Sequence, residues 1–188
     1  MILSAIIIAS GPSLTIEDVN KCRSYLGRQI YVVNDVHTLA PWADVLYACD
    51  GTWWDHHNGV QGFKGARWTT NDQAAERWGL NHMPGTSQGL FHTQPPMCYG
   101  KNSGFQAINL AYLHGHRDIW LLGYDLGHEP GEQKHFFGDH PREIDRPSQY
   151  AEWIEHYRKA APVMEKAGLQ IVNMTRRTAL ECFERGSL

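Results

Sequence analysis

The residues best suited to chemistry are Ser10-Gly11-Pro12-Ser13-Leu14, which follow the apolar run Leu3 to Ala9 directly. Glycine admits close approach of a ligand to backbone amides, proline stiffens the turn, and two hydroxyls flank it. With a helix starting next, the junction reads as a cradle for a phosphate or a nucleotide. An ordinary strand-to-helix turn has the same composition. Asn34 and Asp50 each close a later apolar run. Their amide and carboxylate suit a ribose diol or a base edge, and they suit helix caps equally well. Asn102-Ser103-Gly104 forms a second anion site or a plain N-cap. His92, just before Gln94-Pro95-Pro96, is placed to hang over a phosphate as a general base. Asp55-His56-His57, and His135 with Asp139-His140, carry metal-ligand types at spacings that match no metal signature, so no metal site is assigned. Trp53, Trp54 and Trp68 offer faces for sugar rings or for core packing.

The elements that must position these groups alternate. A strand from Leu3 to Ala9 precedes a helix from Thr15 to Leu26, with Thr15 and Asp18 spaced for a capping box. Strands follow at 29–33 and 45–49, joined by a connection that holds a short helix. The stretch from Gly51 to Tyr99 is less regular, with helical signals at Trp53-Trp54 and 74–78 and a strand signal at 66–69. A helix from 102 to 114 leads to a strand at 118–122, which ends in Gly123-Tyr124-Asp125. Residues 127–147 read as a long loop or lid. A helix from 149 to 166, a strand at 170–173 and a short final helix at 178–184 complete the chain. Apolar strands alternating with helices predict an α/β fold, one Rossmann-like domain over 1–188 with a mainly parallel sheet and helices on both faces. Ligands of such sheets bind beyond the carboxyl ends of the strands, where Ser10–Ser13, Asn34, Asp50 and Tyr124-Asp125 fall.

The 188 residues suffice for one buried core. A formal charge of −3 gives no basic footprint, so nucleic acid is disfavoured as a partner and a small molecule or glycan is favoured. The four cysteines are scattered and read as reduced thiols of a cytoplasmic protein. The apolar start lacks a basic leader and is broken by Gly11-Pro12, so it reads as a buried strand. No other run reaches the roughly 20 apolar residues of a membrane span. The sequence leaves a homo-oligomer open.

The ordered set Gly11-Pro12-Ser13-Leu14, Val33-Asn34, Asp50, Asn102-Ser103-Gly104 and Leu122-Gly123-Tyr124-Asp125 resembles the Campylobacter-type bacterial sialyltransferases. It is similar as well to the wider motility accessory factor and pterin diphosphokinase-like proteins, which include compact phage-encoded relatives. The resemblance implies CMP on Gly11-Pro12-Ser13, Asn34 and Asp50, with His92 as the base that deprotonates an acceptor hydroxyl. The implied reaction is inverting transfer of a sugar from a nucleotide-activated donor, plausibly a CMP-sugar, to a glycan or other hydroxyl acceptor, with no cofactor firmly implied. The family's tyrosine pair has no counterpart between Gly51 and Cys98, which leaves Lys64, Arg67 or Lys101 to neutralise the departing phosphate. Ser10 and Asp50 stand where the family has Asn. The pterin relatives imply an alternative, a diphosphokinase with Mg²⁺ held beside ATP by Asp50, Asp125 or Asp139. A non-catalytic nucleotide or glycan binder of the same fold is the third expectation.

Overall fold

Ile6, Ile7 and Ile8 are fully buried because their strand, β1 (Leu3–Ile8), lies in the middle of a sheet that is covered on both faces. The computed structural model describes residues 3–128, 132–138, 141 and 148–188. From β1 the chain runs outward through α1 (Ile16–Cys22), β2 (Arg28–Val33), β3 (Val45–Tyr47), α2 (Gly51–His56), β4 (Ala66–Thr69), α3 (Asp72–Trp78) and β5 (Asn81–His82). It then forms a two-stranded ribbon of β6 (Gly85–Thr86) and β7 (Met97–Cys98) and crosses back through α4 (Ser103–Leu113). The second half is β8 (His116–Leu122), α5 (Tyr150–Lys166), β9 (Gln170–Asn173) and β10 (Glu184–Arg185). The sheet order is β10-β9-β8-β1-β2-β3-β4-β5, with every neighbouring pair parallel. The chain therefore reverses its direction of travel across the sheet between β1 and β8. This is the doubly wound α/β fold of Rossmann type.

Alternation along β1 assigns the two cores. Ala5 and Ile7 pack with Tyr31, Tyr47 and the buried stripes of α4 and α5, whereas Ile6 and Ile8 pack with α1, Trp53, Trp54 and α3. A period of two with both faces apolar is what a doubly covered parallel strand requires. Among the described residues no helix is long and apolar enough to cross a membrane.

Local signals were followed closely at several ends. Thr15 and Asp18 form the capping box, with the Asp18 amide 3.2 Å from Thr15 Oγ1. The helix is shorter than expected, because the Ser24 amide and hydroxyl both bond the Lys21 carbonyl and Gly27 takes φ +86° to turn the chain. The expected helix at 178–184 is absent. The Ala179 amide bonds the Asp125 carbonyl just beyond β8 and the Leu180 amide bonds Thr178 Oγ1, so neither donor enters a helical turn, and Glu184–Arg185 pairs with β9 instead.

Candidate functional site

The carboxyl ends of β1, β2, β3 and β8 and the start of α4 surround one cavity of about 330 Å³ at the reversal between β1 and β8. Its lining includes Ser10, Gly11 and Pro12, then Asn34, Asp50, Asn102, Ser103, Gly104 and Tyr124. Residues up to 114 positions apart in the chain thus share a wall because the parallel topology brings every strand end to the same side. Three of the lining residues, Asn34, Lys101 and Leu126, are non-glycine residues with positive φ of 52°, 74° and 48°. Such conformations cost energy and cluster where a backbone has been shaped around a site.

The backbone amides of the Gly-Pro-Ser turn, which its composition suggests as an anion cradle, are taken up inside the protein. The Gly11 amide bonds the Gly123 carbonyl at 2.9 Å, Pro12 has no N–H, and the Ser13 amide bonds Asp125 Oδ1 at 2.9 Å. The Leu14 amide returns to the Gly11 carbonyl, and the Thr15 amide bonds Asp18 Oδ2. Every backbone donor from Gly11 to Thr15 is engaged. Glycine is needed at position 11 for packing, since a Cβ there would lie 2.0 Å from Asp125 Oδ2 and 2.6 Å from the Gly123 carbonyl. Ser13 and Asp125 are therefore part of the floor rather than the lining. Asp125 is 2% exposed, and burial pushes its carboxyl above the ordinary range against the pull of Ser13.

The start of α4 carries donors of its own. Asn102 is the N-cap, with Oδ1 accepting from the Phe105 amide at 2.9 Å and from the Tyr157 hydroxyl at 3.2 Å. Its backbone carbonyl accepts from the Gln106 amide. The amides of Ser103 and Gly104 precede the first intrahelical bonds and line the cavity. Asn102 Nδ2 is closed off from solvent with no acceptor, and Lys101 stands next to it in the lining, its ammonium 2.9 Å from Glu152 Oε1. Two amides, the Ser103 hydroxyl and the Lys101 ammonium at a helix N-terminus form a set of donors for an oxyanion.

On the β3 side, Asp50 both lines the cavity and caps α2, its Oδ1 accepting from the Thr52 amide and hydroxyl. The expected cap is thus observed at a residue that also lines the cavity. Asn34 also lines the cavity, and its left-handed backbone presents its carbonyl to His37 Nδ1 at 2.9 Å. Trp53 joins them, with Nε1 on Asp35 Oδ2.

His92, Lys64 and Arg67 lie outside the lining. Both ring nitrogens of His92 face backbone carbonyls, Nδ1 on Pro96 at 2.8 Å and Nε2 on Gln88 at 2.9 Å, so the ring pins the loop between β6 and β7. Arg67 reaches the Gly59 carbonyl, and Lys64 is exposed. The lining instead holds Lys134 and His135, together with Tyr150 and Trp153 of α5. His135 Nδ1 is 3.0 Å from Ser10 Oγ, and the next amide, Phe136, bonds the Ser10 carbonyl at 3.1 Å. These two bonds draw the loop onto the end of β1. The only sequence signal for His135 was its nearness to Asp139-His140, which pointed to a metal rather than to Ser10. Asp139 and His140 lie outside the described residues, and among the described residues no group of three His, Cys, Asp or Glu side chains is arranged to hold a metal ion.

Four half-buried or buried histidines carry a pH dependence. Burial lowers His37, His114, His116 and His156 below the ordinary histidine range, helped at His114 by His116 and at His37 by His57. A base depressed in the folded state stays neutral there while the unfolded chain takes up protons. Stability is therefore complete above about pH 6.5 and falls as pH drops below it. Thermal melts are expected to show Tm declining from pH 7 to pH 5.5. The decline should be smaller in the His114→Gln, His116→Gln double variant; equal slopes would remove these two histidines as its source.

The fold and site together define a parallel doubly wound α/β protein with a cavity at the sheet's reversal point. Comparison with protein-family models, with curated proteins and with solved structures gives no match.

Proposed function

We propose that this protein binds a nucleoside phosphate in the cavity and uses a nucleotide-activated sugar as the donor for transfer to an acceptor hydroxyl. The observation that carries this reading is the convergence of Asn34, Asp50 and Trp53 on one side of the α4 N-terminus with Ser10, Tyr124 and His135 sharing the same cavity. The nucleoside would lie toward Asn34 and Asp50, where an amide and a carboxylate suit a ribose diol. Its phosphate would sit on the Ser103 and Gly104 amides and Lys101, which gain most as the leaving phosphate develops charge. In the transfer, the acceptor oxygen forms a bond to the anomeric carbon while the bond to the phosphate oxygen breaks, its electron pair leaving with the nucleotide. The acceptor proton would go to His135, the histidine of the cavity lining. The resemblance to bacterial sialyltransferases, with CMP as the expected nucleotide, supports the same reaction class.

A thermal-shift panel of CMP, UDP, GDP, ATP and their sugar conjugates tests this reading. A ligand at 100 times its Kd adds about 2.7 kcal/mol, which for a chain of this size raises Tm by roughly 5–10 °C. We expect such a rise for one nucleotide and its sugar conjugate. A flat response to the whole panel would refute nucleotide binding, and binding of ATP alone with strict Mg²⁺ dependence would favour the diphosphokinase.

A further inference from the structure

The buried stripe of α5 is longer than the core it packs against. Tyr157, Ala160 and Met164 are buried against the sheet, and the same helical spacing continues upward to Trp153 and Tyr150. Those two rings pass the end of the core and line the cavity, both half-buried. They meet edge to face at 5.5 Å, and His128 packs edge-on against Tyr150 at 5.6 Å. The result is an aromatic wall with polar groups at its margin, Ser148 in the cavity lining and Glu152 bridged to Lys101.

Its position relative to the anion donors is fixed by contacts. Cys49 Sγ lies 3.1 Å from Ser103 Oγ, which puts the β3 end, with Asp50 and Trp53, on one side of the α4 N-terminus. The Lys101–Glu152 pair and the Tyr157–Asn102 bond join α5 to the same helix start, and α5, connecting β8 to β9, belongs to the half of the sheet across β1 from β3. A ligand with its nucleoside toward Asp50 and its phosphate on Ser103 therefore carries whatever follows the phosphate toward Trp153. Half-exposed aromatic faces beside hydroxyl and charged groups suit a pyranose ring, whose C–H face stacks while its hydroxyls bond at the edge.

We infer that Tyr150 and Trp153 form a saccharide subsite on the far side of the phosphate from the nucleoside. The inference rests on the nucleotide-binding reading above. The ring that stacks there belongs either to the donor's sugar or to the acceptor, and two titrations separate these sources. In the first, Kd is measured by calorimetry for CMP, UDP and GDP and for CMP-N-acetylneuraminate, UDP-glucose and GDP-mannose. A donor-sugar site predicts that one conjugate binds at least tenfold more tightly than its bare nucleotide, and that Trp153→Ala reduces this advantage to within twofold while bare-nucleotide affinity is unchanged. In the second, protein saturated with the bare nucleotide is titrated with galactose, glucose or N-acetylglucosamine. An acceptor site predicts a saturable heat of binding, read by the same calorimetry, that Trp153→Ala abolishes. Trp153→Phe, which keeps a ring, should retain whichever signal is seen, and Tyr150→Ala should weaken it if the alanine variant at 153 does not fold. Equal loss of bare nucleotide and conjugate in Trp153→Ala would place the base on this wall and overturn the inference. Insensitivity of both titrations to Trp153 and Tyr150 would do the same. If no nucleotide binds at all, the proposed function fails first; if nucleotides bind and the wall is silent, only the subsite fails.

Discussion

Turnover of the nucleotide-sugar donor is expected to fall by about 10²–10⁴-fold in His135→Ala, the range for loss of a positioned general base, with nucleotide affinity changed by less than about threefold. The argument is positional. His135 shares the cavity with the α4 donors and is held at its Nδ1 side 3.0 Å from Ser10 Oγ, within a segment tied by its next amide to the end of β1. His92→Ala should behave differently. That ring lies between the carbonyls of Gln88 and Pro96 and its N–H donates to one of them, so its removal takes a hydrogen bond of about 1 kcal/mol from the β6–β7 loop and lowers Tm before it alters the chemical step. Steady-state kinetics on both variants, with Tm and nucleotide Kd measured alongside, separate the two roles. A His92→Ala variant with native Tm and abolished turnover, beside an unaffected His135→Ala, would reverse the assignment.

The second large effect concerns the anion donors. Asn102→Asp is expected to leave α4 intact, because aspartate caps a helix as well as asparagine and its charge is favoured at the N-terminus. It replaces the unpartnered Nδ2 donor with a carboxylate oxygen beside the Ser103 and Gly104 amides, where the phosphate is assigned. Two like charges about 4 Å apart in a partly screened site repel strongly. Nucleotide affinity should drop tenfold or more, about 1.4 kcal/mol or above, while the unliganded Tm stays close to that of the parent. Titration of both proteins with the best nucleotide of the thermal-shift panel reads this directly. Unchanged affinity would move the phosphate away from α4. The comparison also distinguishes the two anion sites that composition suggests, since nothing at Asn102 touches the Gly-Pro-Ser turn's own donors.

Much of the architecture was readable one segment at a time. Apolar runs such as Ile6-Ile7-Ile8 have no solvent-facing register, so they demand a strand covered on both sides. Thr15 with Asp18, and Asn102 three residues before Phe105, specify helix starts through contacts made within a single turn. Short strands such as β5, β6 and β7 escaped because two residues carry no periodicity. The helix expected at 178–184 failed for the opposite reason, since the Ala179 amide answers to the carbonyl of Asp125, more than fifty positions away.

The site divides in the same way. Residue types at strand ends identified Ser10, Asn34, Asp50, Ser103 and Tyr124 as sharing one region, since parallel topology alone collects the carboxyl ends. Whether a donor is available is a different kind of fact. The Gly11 and Ser13 amides look open in sequence and are closed by Gly123 and Asp125, whereas Asn102 Nδ2 looks like half of an ordinary cap and is left without an acceptor. His92 and His135 were indistinguishable as imidazoles until their neighbours were known. Periodicity, capping and strand order are local or topological properties that a linear pattern can encode. The satisfaction of a hydrogen-bond donor depends on groups a hundred residues distant, and only packing brings those groups within 3 Å.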